Sequence, residues 1–295
     1  MMVYIAGGTS FLGQRVVKRF LEEKYDVTCL SRSEETKNKL FKLKEKYNGN
    51  LNIVSGNLQN PNSLFYGLTG VQTAIYLVRL EYTDYVKNFI YSAKKLGVKR
   101  VVFISSTTVL LPYDLDVKKQ KLESEEMIKN SGLDYTILRP TMIYGGEGDN
   151  NFSKMLKFIK TKKFFVVFGN GENLIQPIYV DDVASAIISV LDNKKTIGKT
   201  YEICGKEPIK YIEMLKIVKD KLKSNFMIIR LSIGFSKFVV KVFKGVFKNF
   251  DLDVSQIEGM KIDKAYSYED ALRDFGFNPL PFEVGIEKEI KELGY

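Results

Sequence analysis

A glycine-rich turn near the start of the chain has the residue types of a phosphate-binding loop. It reads GGTSFLG, from Gly7 to Gly13, and follows the apolar run MMVYIA. Glycines at a strand end and at the following helix start allow a tight turn and close helix packing. The N–H groups and dipole of that helix N-terminus attract a pyrophosphate. A purely structural turn is the alternative, but its place as the first βα turn predicts dinucleotide contacts from Gly7, Thr9, Ser10, Phe11, Leu12 and Gly13.

Ser10 stands in this turn where a further glycine is expected. Serine does not share glycine's freedom of backbone conformation, so we expect some strain at this position. Its hydroxyl can also cap a helix N–H or bind a phosphate oxygen. We therefore expect a dinucleotide site that is weakened but intact.

The second apolar run, DVTCLSR, ends in Arg32, with Ser33 beside it and no carboxylate before Glu34. At this point of a dinucleotide-binding fold an acidic residue binds the ribose hydroxyls, whereas an arginine accommodates a 2′-phosphate. The alternative is an ordinary surface arginine at a strand end. With the glycine turn before it, Arg32 favours NADP(H) as the cofactor, with NAD as the second choice.

These residues need a scaffold, and the first 145 residues alternate strand-like and helix-like patterns. Short apolar runs such as MVYIAG, LNIVSG, TAIYLV and RVVFISS are separated by amphipathic segments such as YTDYVKNFIYSAKKLG. Such alternation predicts an α/β protein with a Rossmann-type, doubly wound parallel sheet. We predict an NAD(P)-binding domain over residues 1–145. Residues 146–295 are predicted to form a smaller α/β substrate lobe, interleaved with the end of the main sheet.

Composition excludes several classes of function. The chain has 295 residues and a formal net charge of +10, from 45 Lys and Arg against 35 Asp and Glu. The basic residues are scattered among acidic ones, which favours a solvated surface over nucleic-acid binding. Histidine is absent, so we expect no imidazole chemistry and no metal site.

The two cysteines, Cys29 and Cys204, lie in apolar strand-like runs, which predicts buried thiols in a reducing compartment. No signal peptide precedes the first strand, and no apolar run approaches the roughly 20 residues of a membrane span. We therefore expect a cytoplasmic protein. The sequence indicates neither the substrate nor the oligomeric state.

Six motifs, taken together, resemble the extended or atypical short-chain dehydrogenases/reductases, in the nucleotide-sugar epimerase/dehydratase group. They are GGTSFLG, SGNLQNP, FISST, SGLDYTILRPTMIYG, QPIYVDDVASAI and YEDALRDFGFNP, and they cover nearly the whole chain. The pattern is similar to the NAD(P)-binding branch that includes the accessory subunit of respiratory NADH dehydrogenase. The resemblance implies a nicotinamide dinucleotide cofactor and a small-molecule substrate. It also implies that Asn57 and Leu58 contact the adenine, with Asn57 in place of the family's aspartate. Ser105 is implied to contact the cofactor, and the stretch Pro140, Thr141 and Met142 to lie beside the nicotinamide.

The resemblance also implies where the family's catalytic groups fall in this chain. Thr107 matches the Ser/Thr hydroxyl at the end of the fifth strand. Lys121, in register with Glu125, matches the lysine that binds the cofactor ribose and lowers the pKa of a tyrosine. That tyrosine position holds Val117, which cannot transfer a proton. Tyr113, one helical turn upstream, is the remaining phenol that we expect could reach the site from its loop.

A second departure lies before the YVDDVA segment. The family's nucleotide-sugar enzymes place an arginine seven residues before a helix-starting aspartate, here Asp182, and that position holds Ile175. Gln176 beside it carries no charge, so a charge-assisted clamp on a diphosphate is missing. This puts a nucleotide-sugar substrate in doubt, and we interpret Asp182 as a helix N-cap.

The segment Phe235–Phe250, FSKFVVKVFKGVFKNF, has a Phe/Val face opposite a lysine face. A basic amphipathic helix can lie on an anionic membrane or dock on a partner protein. We favour the alternative, in which its apolar stripe packs over the substrate cleft.

Two hypotheses for the function therefore remain open. Thr107 and Lys121 favour an enzyme that transfers hydride to or from a small hydroxyl or carbonyl substrate, as a reductase or epimerase with an atypical proton donor. Val117 and Ile175 favour a structural or redox-sensing protein that binds NADP(H) without turnover.

Overall fold

The computed structural model describes residues 2–47, 50–234, 259 and 261–295. The strands of its larger sheet, numbered along the chain, are β1 (Met2–Ala6), β2 (Asp26–Ser31), β3 (Leu51–Ser55), β4 (Thr73–Tyr76), β5 (Arg100–Ile104), β6 (Asp134–Pro140) and β11 (Lys199–Ile203). They lie in the order β11–β6–β5–β4–β1–β2–β3, and neighbouring strands are parallel. The order reverses at β1, as in doubly wound folds. The predicted Rossmann-type α/β fold is confirmed.

Helices connect the strands, because parallel neighbours cannot be joined by a tight hairpin. They are α1 (Phe11–Glu22), α2 (Glu34–Tyr47), α3 (Phe65–Leu68), α4 (Thr83–Lys95), α5 (Asp116–Lys129), α6 (Phe152–Lys162), α7 (Val180–Leu191), α8 (Tyr211–Lys221), α9 (Glu269–Phe275) and α10 (Phe282–Glu292). Short 3₁₀ helices cover Pro61–Leu64, Thr107–Leu110 and Lys194–Thr196.

The apolar pattern of the sequence explains why the first elements form. Residues 3–6 of β1 are all fully buried, as expected for a central strand covered on both faces. In α1, Val16, Val17, Phe20 and Leu21 repeat at helical spacing and are buried as well. Burial of each such side chain contributes about 1.5–3 kcal/mol, so packing on the sheet, more than helix propensity, holds α1 in place.

The chain divides into two compact units. The first, called the sheet unit, comprises Met1–Thr141, Val180–Ile203 and Ser267–Asn278, and it contains the parallel sheet. The second, called the small unit, comprises Met142–Tyr179, Cys204–Tyr266 and Pro279–Tyr295.

These bounds differ from the predicted division at residues 145 and 146. Two later segments belong to the sheet unit because β11 pairs with β6, with Tyr201 opposite Leu138. In the same unit α7 packs on α1, and α9 packs on β11. Long-range strand pairing, which the local pattern does not encode, sets this division.

The small unit is built from short strand pairs around its own core. The pairs are β7 (Ile143–Tyr144) with β10 (Ile178–Tyr179), β8 (Phe164–Phe168) with β13 (Met227–Leu231), and β9 (Leu174–Ile175) with β12 (Ile209–Lys210). The first two pairs are parallel and the third is antiparallel. Tyr144, Phe152, Leu215 and Ile286 belong to one buried apolar cluster in this unit.

The amphipathic segment Phe235–Phe250 lies outside the described residues, so its predicted packing stays a prediction. Among the helices of the described part of the chain, none is long and apolar enough to cross a membrane.

Two buried carboxyl groups meet in the small unit. Asp149 accepts hydrogen bonds from the N–H groups of Asn151 (2.7 Å) and Phe152 (3.0 Å) where α6 begins. Glu289, on α10, is fully buried and accepts a hydrogen bond of 3.1 Å from the Ser153 hydroxyl. Burial first, and the charge of Asp149 second, raise the pKa of Glu289 to about 8. Burial likewise raises the pKa of Asp149. The folded state therefore retains a proton at neutral pH that the unfolded chain releases.

This retained proton predicts that the protein loses stability as the pH rises from about 4.5 to about 8. The pKa of Glu289 is about 8 in the folded state against an ordinary value of 4.5, so the free energy of unfolding should fall as the pH rises between these values. Each unit of pKa shift corresponds to about 1.4 kcal/mol. Urea titrations from pH 4.5 to pH 8 measure the slope.

Glu289→Gln should flatten this pH dependence, because the amide is neutral at every pH. Glu283→Gln, at an exposed position of the same helix, is the matched control and should retain the dependence. A wild-type stability that does not decrease over this interval would contradict the interpretation that Glu289 retains a proton in the folded state.

Candidate functional site

The glycine turn connects β1 to α1 at the carboxyl edge of the sheet. Gly7 has φ +92°, in the region that favours glycine, and a Cβ there would lie 3.2 Å from Leu77 and Val78. Ser10 has φ −68° and ψ 167°, which is ordinary extended backbone for an N-cap residue. Its hydroxyl accepts a hydrogen bond from the Gly13 N–H (3.0 Å) and donates one to the Gly7 carbonyl (2.9 Å). The expectation of strain at Ser10 is wrong, because an N-cap does not need positive φ, and the expected cap is present.

Gly13 allows the closest approach in this turn. A Cβ at Gly13 would lie 2.1 Å from the carbonyl oxygen of Gly7, so only glycine fits. A Cβ at Gly8 would lie 2.9 Å from the sulfur of Cys29. Phe11 and Leu12 form the first turn of α1, with the Leu12 side chain buried. The first turn of α1 is therefore held directly over the end of β1.

A cavity of about 590 Å³ opens beside this turn, and sheet-unit residues line it. Its walls come from the glycine turn, from Leu30 in β2 and residues 32–39 after it, from residues 56–59 after β3 and from residues 77–85 after β4. Gly7, Thr9, Ser10, Arg32, Asn57 and Leu58 of the predicted site are among the lining residues. Apart from Leu30, these segments all follow parallel strands, whose carboxyl ends share one edge of the sheet.

The β2 side of the cavity carries further polar residues besides Arg32 and Ser33. Thr36 and Lys39, on α2, also line it, together with Glu35. Lys39 pairs with Glu35 at 2.7 Å, and the Ser33 and Thr36 hydroxyls lie 3.1 Å apart. Sequence reasoning missed Lys39. The signal was its helical spacing from Glu35 and Thr36, which places one face of α2 toward the strand end.

The β3 side is shaped by Asn57, which folds its segment into a turn. Its side-chain oxygen accepts a hydrogen bond from the N–H of Gln59 (3.0 Å), and its own N–H donates to the Ser63 hydroxyl (2.9 Å). Leu58 beside it is buried. Both predicted adenine contacts therefore lie at the cavity.

The predicted serine and threonine residues lie further along the sheet, at the end of β5. The Ser105 N–H donates to the Leu138 carbonyl at 2.8 Å, and Thr107 lies 3.5 Å from the Pro140 carbonyl. Within the described chain, the buried hydroxyls of Ser105 and Ser106 have no hydrogen-bond partner. Buried polar groups normally have partners, so these two hydroxyls are suited to a bound ligand.

The stretch after β6 is divided between the two units. Thr141, in the sheet unit, donates its N–H to the Ile203 carbonyl at 2.9 Å. Met142 is exposed and belongs to the small unit.

Helix α5 holds Lys121 in an environment that the sequence did not indicate. The Lys121 ammonium lies 3.0 Å from Glu81, and both side chains are almost completely buried. Glu125 is fully buried and forms a two-point ion pair with Arg139, with Nε 3.0 Å from Oε1. Val117 lies in the first turn of α5 and is partly exposed, and Tyr113 is half-buried in the preceding loop. Glu125 therefore joins α5 to β6, while Lys121 belongs to a charge cluster with Glu81.

In the small unit, Ile175 and Gln176, at the position where the resemblance places a diphosphate clamp, make structural contacts. Ile175 is buried in the apolar cluster. Gln176 donates to the Gly205 carbonyl and accepts from the Tyr266 N–H, both at 2.8 Å, so its amide joins two backbone segments. In the sheet unit, Asp182 lies within the first turn of α7, which begins at Val180. Its interpretation as an N-cap is therefore wrong. In the ranges that the structure describes, no group of three potential Cys, Asp or Glu ligands could hold a metal ion.

A family model described as NAD(P)H-binding matches residues 7–194. The protein belongs to this NAD(P)H-binding family. The matched range begins at the glycine turn and ends beyond α7, so it covers the cavity and most of the parallel sheet. The predicted resemblance to short-chain dehydrogenases/reductases is confirmed by the relatives as well.

The relatives of this NAD(P)H-binding protein include enzymes and assembly proteins. It is 26% identical over 234 residues to the Arabidopsis thaliana NADH dehydrogenase (ubiquinone) 1 alpha subcomplex subunit 9, mitochondrial, and the alignment covers 74% of the chain and 57% of that relative. It therefore spans little more than half of that protein's length. It is 25% identical to the photosystem II assembly factor Ycf39 of Synechocystis, with 100% of the chain and 94% of the relative covered. The dTDP-glucose 4,6-dehydratase DesIV of Streptomyces venezuelae, solved with NAD bound, shares the fold with a TM-score of 0.78 and 18% identity over 99% of the chain and 96% of DesIV.

The contact at Gly13 gives a direct test of the turn. Gly13→Ala would place a methyl group 2.1 Å from the Gly7 carbonyl, and relieving such an overlap costs about 1–3 kcal/mol or more. We expect a lower melting temperature and weakened dinucleotide binding, measured by calorimetry. Gly234→Ala, where a Cβ meets nothing within 4 Å, is the control. If Gly13→Ala matched the wild type in both measurements, the close packing of α1 on β1 would not be required.

Proposed function

We propose that the protein binds NADP(H), in preference to NAD(H), in the cavity at the glycine turn. The observation that carries this proposal is the pair of cations, Arg32 and Lys39, on the cavity wall that follows β2. In this fold the end of β2 faces the adenosine ribose. Two cations and the hydroxyls of Ser33 and Thr36 at that position suit a 2′-phosphate, which carries negative charge and several acceptor oxygens.

The residues present fit such a dinucleotide. A Cβ at Gly13 would overlap the Gly7 carbonyl, so glycine at this position lets the start of α1 lie at the turn, where its N–H groups suit a pyrophosphate. Glu35 also lines the wall, but its charge is compensated by Lys39 and by Arg32 nearby, which lower its pKa. The carboxylate that would favour an unphosphorylated ribose is thus partly neutralised.

Beyond binding, we propose hydride chemistry on a small carbonyl or hydroxyl substrate. The bound cofactor would supply or accept the hydride. The chain would then have to supply or accept a proton at the substrate oxygen, and Val117 cannot. Thr107, Tyr113 and Lys121 are the remaining candidates. Of these, the Lys121 ammonium carries a transferable proton and Glu81 fixes its position.

A second candidate function is cofactor binding without turnover. Two points favour it: by the family resemblance Val117 stands where the proton-donating tyrosine is expected, and the buried Lys121 is already engaged by Glu81. The relatives include, by name, a subunit of NADH dehydrogenase and a photosystem II assembly factor. In this alternative the NADP(H)-bound fold serves as a structural or redox-sensing component that docks on a protein partner.

The proposed cofactor preference predicts a selective effect of the cations after β2. Arg32→Ala should weaken NADPH binding by about 1.5–3 kcal/mol, the value of a hydrogen bond to a charged group, and leave NADH binding nearly unchanged. Lys39→Ala should act in the same direction with a smaller effect, because Glu35 already engages that lysine. Calorimetric titration with both cofactors measures the two affinities.

Lys42→Ala removes an exposed lysine of the same helix and should leave both affinities unchanged. Equal affinity of the wild type for NADPH and NADH, with no effect of Arg32→Ala, would disprove the preference for the phosphorylated cofactor.

The choice between the two functions rests on turnover. With Val117 in place of the proton donor, general acid–base assistance worth about 10²–10⁴-fold is lost, so we expect slow or absent NADPH oxidation with sugar nucleotides and small carbonyl compounds. Any activity should decrease in Thr107→Ala, Tyr113→Phe or Lys121→Met. Val117→Tyr should increase turnover if a substrate still enters. Rapid wild-type turnover that none of the three substitutions affects would show that another group moves the proton.

A further inference from the structure

Arg79 lies next to the glycine turn, although no motif of the sequence indicates a role for it. The Leu77 N–H donates to the Ala6 carbonyl at 2.9 Å, which extends the pairing of β4 with β1 up to the turn. A Cβ at Gly7 would lie 3.2 Å from Leu77 and from Val78. Arg79 is the next residue, lines the same cavity as Gly7 and Ser10, and has a side chain that is 66% exposed. A cation is therefore available on the β4 wall of the cavity.

Glu81 forms an ion pair with this arginine. The Arg79 Nε lies 2.5 Å from Glu81 Oε1, and a terminal nitrogen of the guanidinium contacts the same oxygen. The other carboxylate oxygen lies 3.0 Å from the ammonium of Lys121. The Glu81 side chain is only 6% exposed, so the surrounding atoms restrict its movement.

The charges of this cluster leave Arg79 free to attract an anion. Burial acts to raise the pKa of Glu81, but its own backbone N–H, Lys121 and Arg79 outweigh it, so the pKa lies below the ordinary value. Glu81 is therefore a carboxylate, with two cations beside it and a net charge of +1. A guanidinium has five N–H donors, more than its contacts with one carboxylate oxygen can use.

The strand order separates Arg79 from Arg32. In the sheet β1 lies between β2 and β4, so Arg32, after β2, and Arg79, after β4, approach the glycine turn from opposite sides. A pyrophosphate in this fold lies at the turn itself, whereas the 2′-phosphate lies at the end of β2. Arg79 is thus placed for the phosphates that NADH and NADPH have in common.

We propose that Arg79 is a further cofactor-binding residue, which pairs with the dinucleotide's pyrophosphate, and that Glu81 is the positioning residue that aims it. This inference rests on the proposed function, because it assumes a dinucleotide in the cavity. Lys121 then has a second role: it anchors Glu81 inside the sheet unit, and Glu81 in turn fixes the direction of Arg79.

The first experiment compares two cofactors and two arginines by calorimetry. Arg79→Ala should weaken NADPH and NADH by a similar factor of about ten, whereas Arg32→Ala should weaken NADPH alone. Arg79→Lys keeps the charge without the planar fork and should fall between Arg79→Ala and the wild type. Lys87→Ala, which removes an exposed lysine of α4, is the control and should have no effect.

The second experiment tests whether Glu81 acts through Arg79. Glu81→Gln should weaken both cofactors in the wild-type background but cause little further loss when combined with Arg79→Ala, because residues that act as one unit are not additive. Glu81→Asp keeps the charge and should retain more affinity. Glu81→Gln can also lower the melting temperature by leaving Lys121 buried without its counter-ion. The coupling between the two substitutions, unlike the melting temperature, reports positioning.

The outcomes separate this inference from the proposed function. If Arg79→Ala binds both cofactors like the wild type, or loses NADPH alone, the pyrophosphate assignment is overturned while NADP(H) binding stands. If Glu81→Gln and Arg79→Ala are fully additive, the positioning role of Glu81 is overturned. If the wild type binds neither cofactor, both proposals fail.

Discussion

The contact of α1 with the end of β1 is the constraint on which the rest of the site depends. No side chain fits at Gly13, because its Cβ position lies 2.1 Å from the Gly7 carbonyl. The absence of a side chain lets the helix N-terminus lie over the strand end, and the Ser10 hydroxyl then satisfies the Gly13 N–H. The cavity walls follow from the neighbouring strands, each of which delivers its next residues to the same edge of the sheet. A shift of α1 would therefore displace its phosphate-binding N–H groups from the residues that the neighbouring strands place around them.

Features that depend on local pattern could be predicted from the sequence. Fully buried parallel strands give continuous apolar runs, so β1 to β6 were recognisable in the sequence, and helices at 3.6-residue spacing were recognisable between them. The glycine turn and Arg32 could be identified because both lie directly after such runs, where the fold places its ligand. The local signal was sufficient here because the elements are short, regular and consecutive.

Features that depend on distant residues could not be predicted. Glu81 meets Lys121 across forty residues of chain, and no local pattern indicates that contact. The sequence predicts that the C-terminal half is interleaved with the end of the main sheet, but not which segments return to it, because the pairing of β11 with β6 joins segments far apart in sequence. Ser10 was misjudged for a different reason: the count of glycines suggested a demand for positive φ, whereas an N-cap adopts extended backbone.

The placement of the two thiols has a practical consequence for measuring how the protein unfolds. Cys29 and Cys204 are the only cysteines of the chain, and both are fully buried. Burial also raises the pKa of Cys29, so its reactive thiolate form is suppressed in the native state. One lies in the sheet unit and the other in the small unit. The rate at which a thiol reagent alkylates each cysteine, measured by peptide mass spectrometry, thus reports the unfolding of each unit separately, with no engineered label.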